Sequence, residues 1–176
     1  MKTGEPLKNH CTFRVGGPAD YFYELYNIEE LPDLLTFASN NQIPSFLFGR
    51  GSNVLFLDGG FRGLIIKNLS NHMDIQNDTV IADSGVLLAE IIRKSVAQNL
   101  TGLEQLYGLP GSIGGAVFGN AGVPNVEIAN FLESVSVFNV EEGIHTHGRD
   151  EIMFGYRTST FKTEKPEDAI MKVTLR

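Results

Sequence analysis

Seven glycines crowd into the 21 residues from Gly102 to Gly122, at positions 102, 108, 111, 114, 115, 119 and 122. With so little side chain to bury, such a stretch packs its backbone close against something. Within it, Pro110-Gly-Ser-Ile-Gly-Gly115 and Asn120-Ala-Gly122 predict a short helix begun at Ser112. Small residues permit close approach there, and the helix N-terminus would face an anion; a glycine-rich packed turn would use the same residues. A shorter segment, Gly49-Arg-Gly-Ser-Asn53, starts like a dinucleotide fingerprint. Val54 stands where the third glycine belongs, and a strand over Val54 to Leu57 is expected to follow in place of a helix, which argues against a Rossmann site. No Gly-Lys-Ser/Thr occurs, so it is not a Walker loop. What remains is either a plain tight turn or a nest: glycines turn successive N–H groups inward, Ser52 and Asn53 add side-chain donors, and phosphate binds without net positive charge. A pyrophosphate held between two lobes needs backbone donors from both sides, and the two segments together supply them.

The rest of the chain reads as an α+β body. Ala19 to Leu25, after the turn signal Gly16-Gly17-Pro18, is the first expected strand. Asn27 and Glu30 have capping-box spacing ahead of a helix on Leu31, Leu34, Leu35 and Ala38, with Pro32 tolerated in its first turn. Ser45 to Phe48 reads as a buried strand. Leu64 to Lys67, Met73 to Gln76 and Thr79 to Asp83 follow, the last two joined by an Asn77-Asp78 turn. Leu87, Leu88, Ile91, Ile92 and Val96 share one helical face behind a Ser84 cap. Phe131 to Phe138 turns near Glu142-Gly143 into Ile144 to His147, and Ala169 to Leu175 is the last strand. Composition shifts near Asn68–Asn71, dividing an α/β lobe (residues 1–70) from a strand-rich lobe (residues 71–176) that carries the long glycine segment. A cleft between lobes is where a cofactor would bind.

Fourteen Lys+Arg against 21 Asp+Glu leave a formal charge of -7, which argues against nucleic acid or an anionic membrane as a partner. Any phosphate must be held locally. The single cysteine, Cys11, excludes an intramolecular disulfide framework and is expected to be buried. The opening MKTGEPLKNHC has no apolar signal core, and no apolar run approaches the roughly 20 residues of a membrane span, so a cytoplasmic location is expected. His145 and His147 alternate onto one side of a strand, but no Cys, Asp or Glu stands near them at ligand spacing, and no metal is expected. Gly155-Tyr-Arg-Thr-Ser-Thr-Phe161 sets Arg157 in a polar stretch. It could hold a carboxylate or a developing enolate bidentately; a surface salt bridge is the plainer use.

Taken in order, Asn9-His-Cys-Thr-Phe-Arg-Val-Gly-Gly-Pro-Ala-Asp20, Gly49-Arg-Gly-Ser-Asn-Val54, Gly102-Leu-Glu104, Pro110-Gly-Ser-Ile-Gly-Gly115, Asn120-Ala-Gly122 and Gly155-Tyr-Arg157 with Ser159 resemble the UDP-N-acetylenolpyruvoylglucosamine reductase family along nearly the whole chain. Each motif is modest alone; six in order are specific. The resemblance implies a vanillyl-alcohol-oxidase/PCMH-type FAD-binding fold, two α+β subdomains with the flavin between them. It implies the last reductive step in making UDP-N-acetylmuramate for peptidoglycan: NADPH reduces FAD, and the flavin delivers hydride to the enolpyruvyl double bond of a UDP-sugar. By similarity, Gly49, Arg50, Gly51, Ser52, Asn53 and Val54 would wrap the pyrophosphate. Pro110, Gly111, Ser112, Gly114, Gly115, Asn120 and Gly122 would line the flavin. Arg157 would stabilise the enol-type intermediate of the substrate carboxylate.

Two local departures are Val123-Pro124-Asn125, where members often carry Ala-Tyr-Gly, and Cys11, where a threonine is common. A larger one concerns the family's third domain, which continues past the point matching Arg176, closes over the substrate and supplies a proton-donating serine and an assisting glutamate. Neither is assigned here, since Ser159 belongs to the Tyr-Arg-x-Ser motif. The expectation is a chain that holds the flavin half and one of three catalytic side chains, completed by a missing C-terminal domain or a second chain. Two rivals stand beside it: a FAD- or nucleotide-binding module without reductase activity, and a small flavin oxidase or diaphorase.

Overall fold

A computed structural model describes residues Met1–Arg176. The first sheet is built from β1 (Lys2–Pro6), β2 (Pro18–Leu25), β3 (Ser45–Phe48) and β4 (Phe61–Asn68), with helix α1 (Leu31–Asn40) between β2 and β3. Its order is β1-β2-β4-β3. Both neighbours run parallel to β4, while β1 is antiparallel to β2. A central parallel strand must be apolar on both faces. Accordingly Leu64 and Ile66 point to a cluster beneath α1, while Ile65 points the other way, to Leu7, Phe22, Phe48 and Phe56.

The second sheet comprises β5 (Met73–Gln76), β6 (Thr79–Asp83), β9 (Leu132–Asn139), β10 (Gly143–Gly148) and β13 (Ala169–Leu175), in the order β10-β9-β13-β6-β5, wholly antiparallel. Helices α2 (Leu88–Ala97) and α3 (Ile113–Phe118) pack onto it around Ile91, Ile92, Ile113, Val117, Val135 and Val173. Two small hairpins, β7 (Gly122–Val123) with β8 (Val126–Glu127) and β11 (Phe154–Gly155) with β12 (Thr158–Ser159), flank α3; a single turn, α4 (Thr160–Thr163), follows. The sheets share a core, for Phe138 and Met171 of the second pack with Leu25, Ile28 and Leu31 of the first. No helix is long and apolar enough to cross a membrane.

Five local readings need correction. Ser45–Phe48 is a strand but not a buried one, with Ser45 and Phe46 exposed and Phe48 alone buried. The polar run Lys2–Pro6 is a strand that sequence reading did not place; exposed along most of its length, it forms the sheet edge. Val54–Leu57 is not a strand: the Leu57 carbonyl accepts from both Gly17 and Gly60, at 2.9 Å each, and Leu55 and Leu57 face solvent. Asn27 does cap, accepting from Glu29 N at 3.2 Å, but Glu30 turns to the Tyr23 hydroxyl (2.6 Å), so no capping box closes. Ser84 caps nothing; it donates to the Ile170 carbonyl at 2.7 Å and accepts from Asn68 Nδ2 at 2.8 Å, joining the sheets.

Candidate functional site

Strand β3 delivers Gly49 against the start of α3, so closely that a Cβ on Gly49 would overlap the Ser112 hydroxyl. The approach is reciprocal, because a Cβ on Gly111 would stand 3.0 Å from Ser52 Oγ. Gly51 has φ +72° and accepts from Thr12 N at 2.9 Å; a side chain there would run into the backbone of His10 and Cys11. From the other flank, the turn after β6 clasps α3: Leu88 N donates to Gly111 O, Ile113 N to Val86 O and Gly114 N to Ser84 O. Arg50 reaches over to donate to the Gly85 carbonyl at 3.3 Å. Both glycine segments, one from each sheet, therefore meet at one place. Val54 tucks against the cluster around Phe48 and Phe56, while Asn53 and Pro110 are exposed.

Beside this junction opens a polar cleft of about 340 Å³, lined by Asn9, His10, Thr12, Arg14, Arg50 and Lys67 among others. Three of these are cations, in a chain of formal charge -7. Arg14 sits at φ +55°, uncommon for a residue with a side chain. Lys67 donates to His10 Nδ1 at 3.3 Å, and His10 Nε2 donates to Glu5 at 2.8 Å. Burial holds Lys67 below the usual lysine range; Glu24 pulls it up, while Arg50 and Lys2 push it further down. Arg50 Nε is buried with no partner in the chain. A buried donor without an acceptor is costly, and a bound anion would remove that cost and favour the charged form of Lys67.

The far end of α3 forms a second group. Asn120, at φ +44°, donates to Glu127 Oε2 (2.7 Å) and the Gly155 carbonyl (3.0 Å), and its Oδ1 is buried without a partner, as is Thr158 Oγ1. Arg157, at φ +57°, donates to the Gly122 carbonyl at 2.9 Å and lies 5.7 Å from the Tyr156 ring. It makes no salt bridge, so the plainer use of this arginine is not the one observed. Ser159 donates to the Phe118 carbonyl and fixes the hairpin to the helix.

The glycines of α3 separate into two kinds. Gly114 is required by the chain itself, since a Cβ would lie 2.6 Å from that of Ser84. At exposed Gly115 a Cβ would meet nothing closer than Ser112 Oγ at 3.6 Å. Glycine inside a helix costs about 1 kcal/mol against alanine, and no contact within the chain repays it at Gly115. A flat group lying along that face would. Unpartnered polar atoms at each end and a bare glycine face between them suit a long ligand with an anionic portion and a planar ring, the shape of FAD.

Sequence reading named the two glycine segments and Arg157 but not Arg14, Lys67 or the Ser84–Gly85 turn as site residues. Arg14 beside Gly16-Gly17 carried a faint signal; Lys67, embedded in an apolar strand, carried one only as a charge where burial is expected.

Residues 19–148 match the family model described as FAD binding domain. Among curated relatives, the chain is 42% identical over 161 residues to UDP-N-acetylenolpyruvoylglucosamine reductase of Clostridium tetani, covering 91% of this chain and 52% of the relative. It is 39% identical over 173 residues to that of Clostridium botulinum, covering 98% and 56%. The chain thus spans about half the length of these relatives. Among solved structures, it is similar to UDP-N-acetylenolpyruvylglucosamine reductase (MurB) from Thermus caldophilus, with TM-score 0.81 and 32% identity over 97% of this chain and 60% of that one. A cholesterol oxidase from Brevibacterium sterolicum superposes with TM-score 0.62 at 15% identity, over 87% of this chain and 33% of that one, a likeness of fold alone. The α+β flavin-binding fold implied by the sequence resemblance is the fold observed.

Proposed function

The chain belongs to the FAD binding domain family, and from that premise we propose that it is the flavin-holding part of an NADPH-dependent reductase acting on UDP-N-acetylenolpyruvoylglucosamine in peptidoglycan synthesis, in the cytoplasm. The observation that carries the reading is the convergence of Gly49–Ser52 and Gly111–Ser112 from different sheets beside a cleft holding Arg14, Arg50 and Lys67. On this reading residues 1–70 and 71–176 are the two subdomains, and the ligand lies across their junction.

The pyrophosphate would rest against residues 49–54, with Arg50 and Lys67 supplying the charge that the chain as a whole lacks. Pro110, Gly111, Ser112, Gly114 and Gly115 would present α3's bare face to the ring system, and Asn120 and Gly122 its far edge. When bound, FAD supplies hydride transfer between NADPH and the enolpyruvyl double bond. Arg157, fastened at one amino group to Gly122 O, keeps the rest of its planar fork for the substrate carboxylate, where it would stabilise charge developing as an enolate forms. No proton donor for the completion of the reduction is assigned among residues 1–176, which span about half the length of the relatives.

The test is the visible spectrum of the purified chain after incubation with FAD and removal of excess. A flavin band that stays with the protein at one equivalent supports the site. A folded chain that retains no flavin and quenches no FAD fluorescence on titration overturns it.

A further inference from the structure

Away from the glycine junction, the edge strand β10 and the turn before β13 bring together three side chains that no part of the flavin reading uses. His145 and His147, two apart on β10, share a face with ring centroids 4.9 Å apart. Asp168, distant in sequence, closes the group: its Oδ2 lies 3.2 Å from His147 Nε2 and 3.6 Å from His145 Nε2. One ligand atom from each residue falls within 4.8 Å of the others. We propose that His145, His147 and Asp168 form a binding site for a divalent transition ion of the zinc class.

Zinc bonds to imidazole nitrogen and carboxylate oxygen run about 2.0–2.2 Å, which places tetrahedral ligand atoms about 3.3–3.5 Å apart; two of the observed separations lie close to that. The donor set of two imidazoles and one carboxylate suits zinc, cobalt, nickel or copper over magnesium or calcium. His145 Nδ1 lies 3.3 Å from the Gly143 carbonyl, where its N–H donates, leaving Nε2 to carry the lone pair. That Nε2 is buried and has no hydrogen-bond partner. The carboxylate is almost wholly buried, 2% exposed, and its other oxygen accepts from Asn139 Nδ2 at 2.8 Å, which holds Oδ2 toward the histidines. Glu142, exposed and 3.7 Å from His145 Nε2, stands where a fourth ligand or a water would complete the shell. A bound ion would tie the edge strand to the Lys165–Asp168 turn, to which His147 supplies a hydrogen bond and His145 only a 3.6 Å approach.

The test titrates the 176-residue chain with zinc chloride by calorimetry and with cobalt chloride by visible absorption. The expected result is one saturable equivalent with the intense visible bands of a tetrahedral cobalt site. His145→Gln and His147→Gln, each at a part-exposed position, should weaken binding by about tenfold or more, and His72→Gln, at an exposed histidine outside the group, should leave it unchanged. Absence of saturable binding, or equal binding by the His147→Gln and parent chains, overturns the proposal. So does an equal loss in His72→Gln, which would mark scattered surface binding.

Discussion

Gly49 approaches Ser112 so closely that the hydroxyl fills the space a Cβ would need. The contact joins β3 of one sheet to α3 on the other, at the point where both glycine segments meet. Gly49→Val must push Ser112 and the first turn of α3 away. Overpacking of this kind costs about 1–3 kcal/mol, and the displaced backbone is the one proposed to face FAD. The expected outcome in a fluorescence-quenching titration is a roughly tenfold or greater loss of FAD affinity, about 1.4 kcal/mol or more. Gly59→Ala, where a Cβ meets nothing within 4 Å, should bind FAD normally. Unchanged affinity in Gly49→Val would remove this junction from the site.

Lys67 separates stability from binding. Burial disfavours its ammonium and holds its pKa below the ordinary value, with Arg50 and Lys2 adding to the effect against the pull of Glu24. A depressed lysine contributes stability that is present above its unfolded pKa, near 10.4, and is lost as pH falls through the lower folded value. At neutral pH the charge is therefore a cost to the unliganded fold. Lys67→Met removes that cost but also the donor to His10 Nδ1, so the melting temperature of the flavin-free chain at pH 7 should change little, while FAD binding weakens because the anion loses a cation. Thermal melts with and without FAD should show the parent gaining more from FAD than the variant does. A Lys67→Met chain that binds FAD as tightly as the parent sinks the assignment of this cleft to the pyrophosphate.

Asp83, at the end of β6, behaves oppositely. Burial raises its pKa; a backbone hydrogen bond from His72 and the charges of Lys172 and His72 oppose that, and Glu29 adds to it. A raised carboxyl contributes stability fully present below its unfolded pKa, about 3.9, and lost as pH rises through the folded value. Asp83→Asn removes the ionisation and should raise the melting temperature near pH 7. The gain should shrink as pH falls and vanish below about pH 4. A difference that is negative at pH 7, or constant across this range, would show that Asp83 is better paired than its burial indicates.

What was legible in the sequence was local. The turn signal ahead of Ala19–Leu25, the Asn77-Asp78 turn and the helical spacing of Leu88, Ile91 and Ile92 depend on neighbours a few residues away, and each element stands where its pattern put it. The apolar run Val54–Leu57 has the pattern of a ladder strand, but glycines at 17 and 60 capture its last carbonyl instead. Lys2–Pro6 carries no strand signal because an exposed edge needs no apolar face. Ser84 has the right spacing for a cap, but its hydroxyl goes to a carbonyl 86 residues away. The same distance problem hid the cleft and the histidine group: Arg14, Arg50 and Lys67 converge only after β2, β3 and β4 have paired, and Asp168 reaches His147 only across β9.

The long-range bond of Ser84 yields the last prediction. Its hydroxyl is buried, donates to Ile170 O and accepts from Asn68, whose Oδ1 in turn accepts from both the backbone and hydroxyl of Ser70. Ser84→Ala deletes one oxygen and leaves an acceptor on β13 and a donor at the end of β4 without partners in a place water does not reach. Each stranded group costs about 1–3 kcal/mol. For a chain of this size a destabilisation of 1 kcal/mol lowers the melting temperature by about 2–4 °C. A drop of several degrees is expected, and a denaturant melt should show it as a lower midpoint at unchanged slope, since no more surface is exposed on unfolding. Ser84→Cys, which keeps a weak donor of larger size beside Gly114, should not recover it, because the Cβ of Ser84 already fixes that glycine. A Ser84→Ala chain as stable as the parent would mean that this hydrogen-bonded link contributes nothing to the alignment of the two sheets, which the shared Phe138–Leu31 core and the Gly49–Ser112 contact would hold without it.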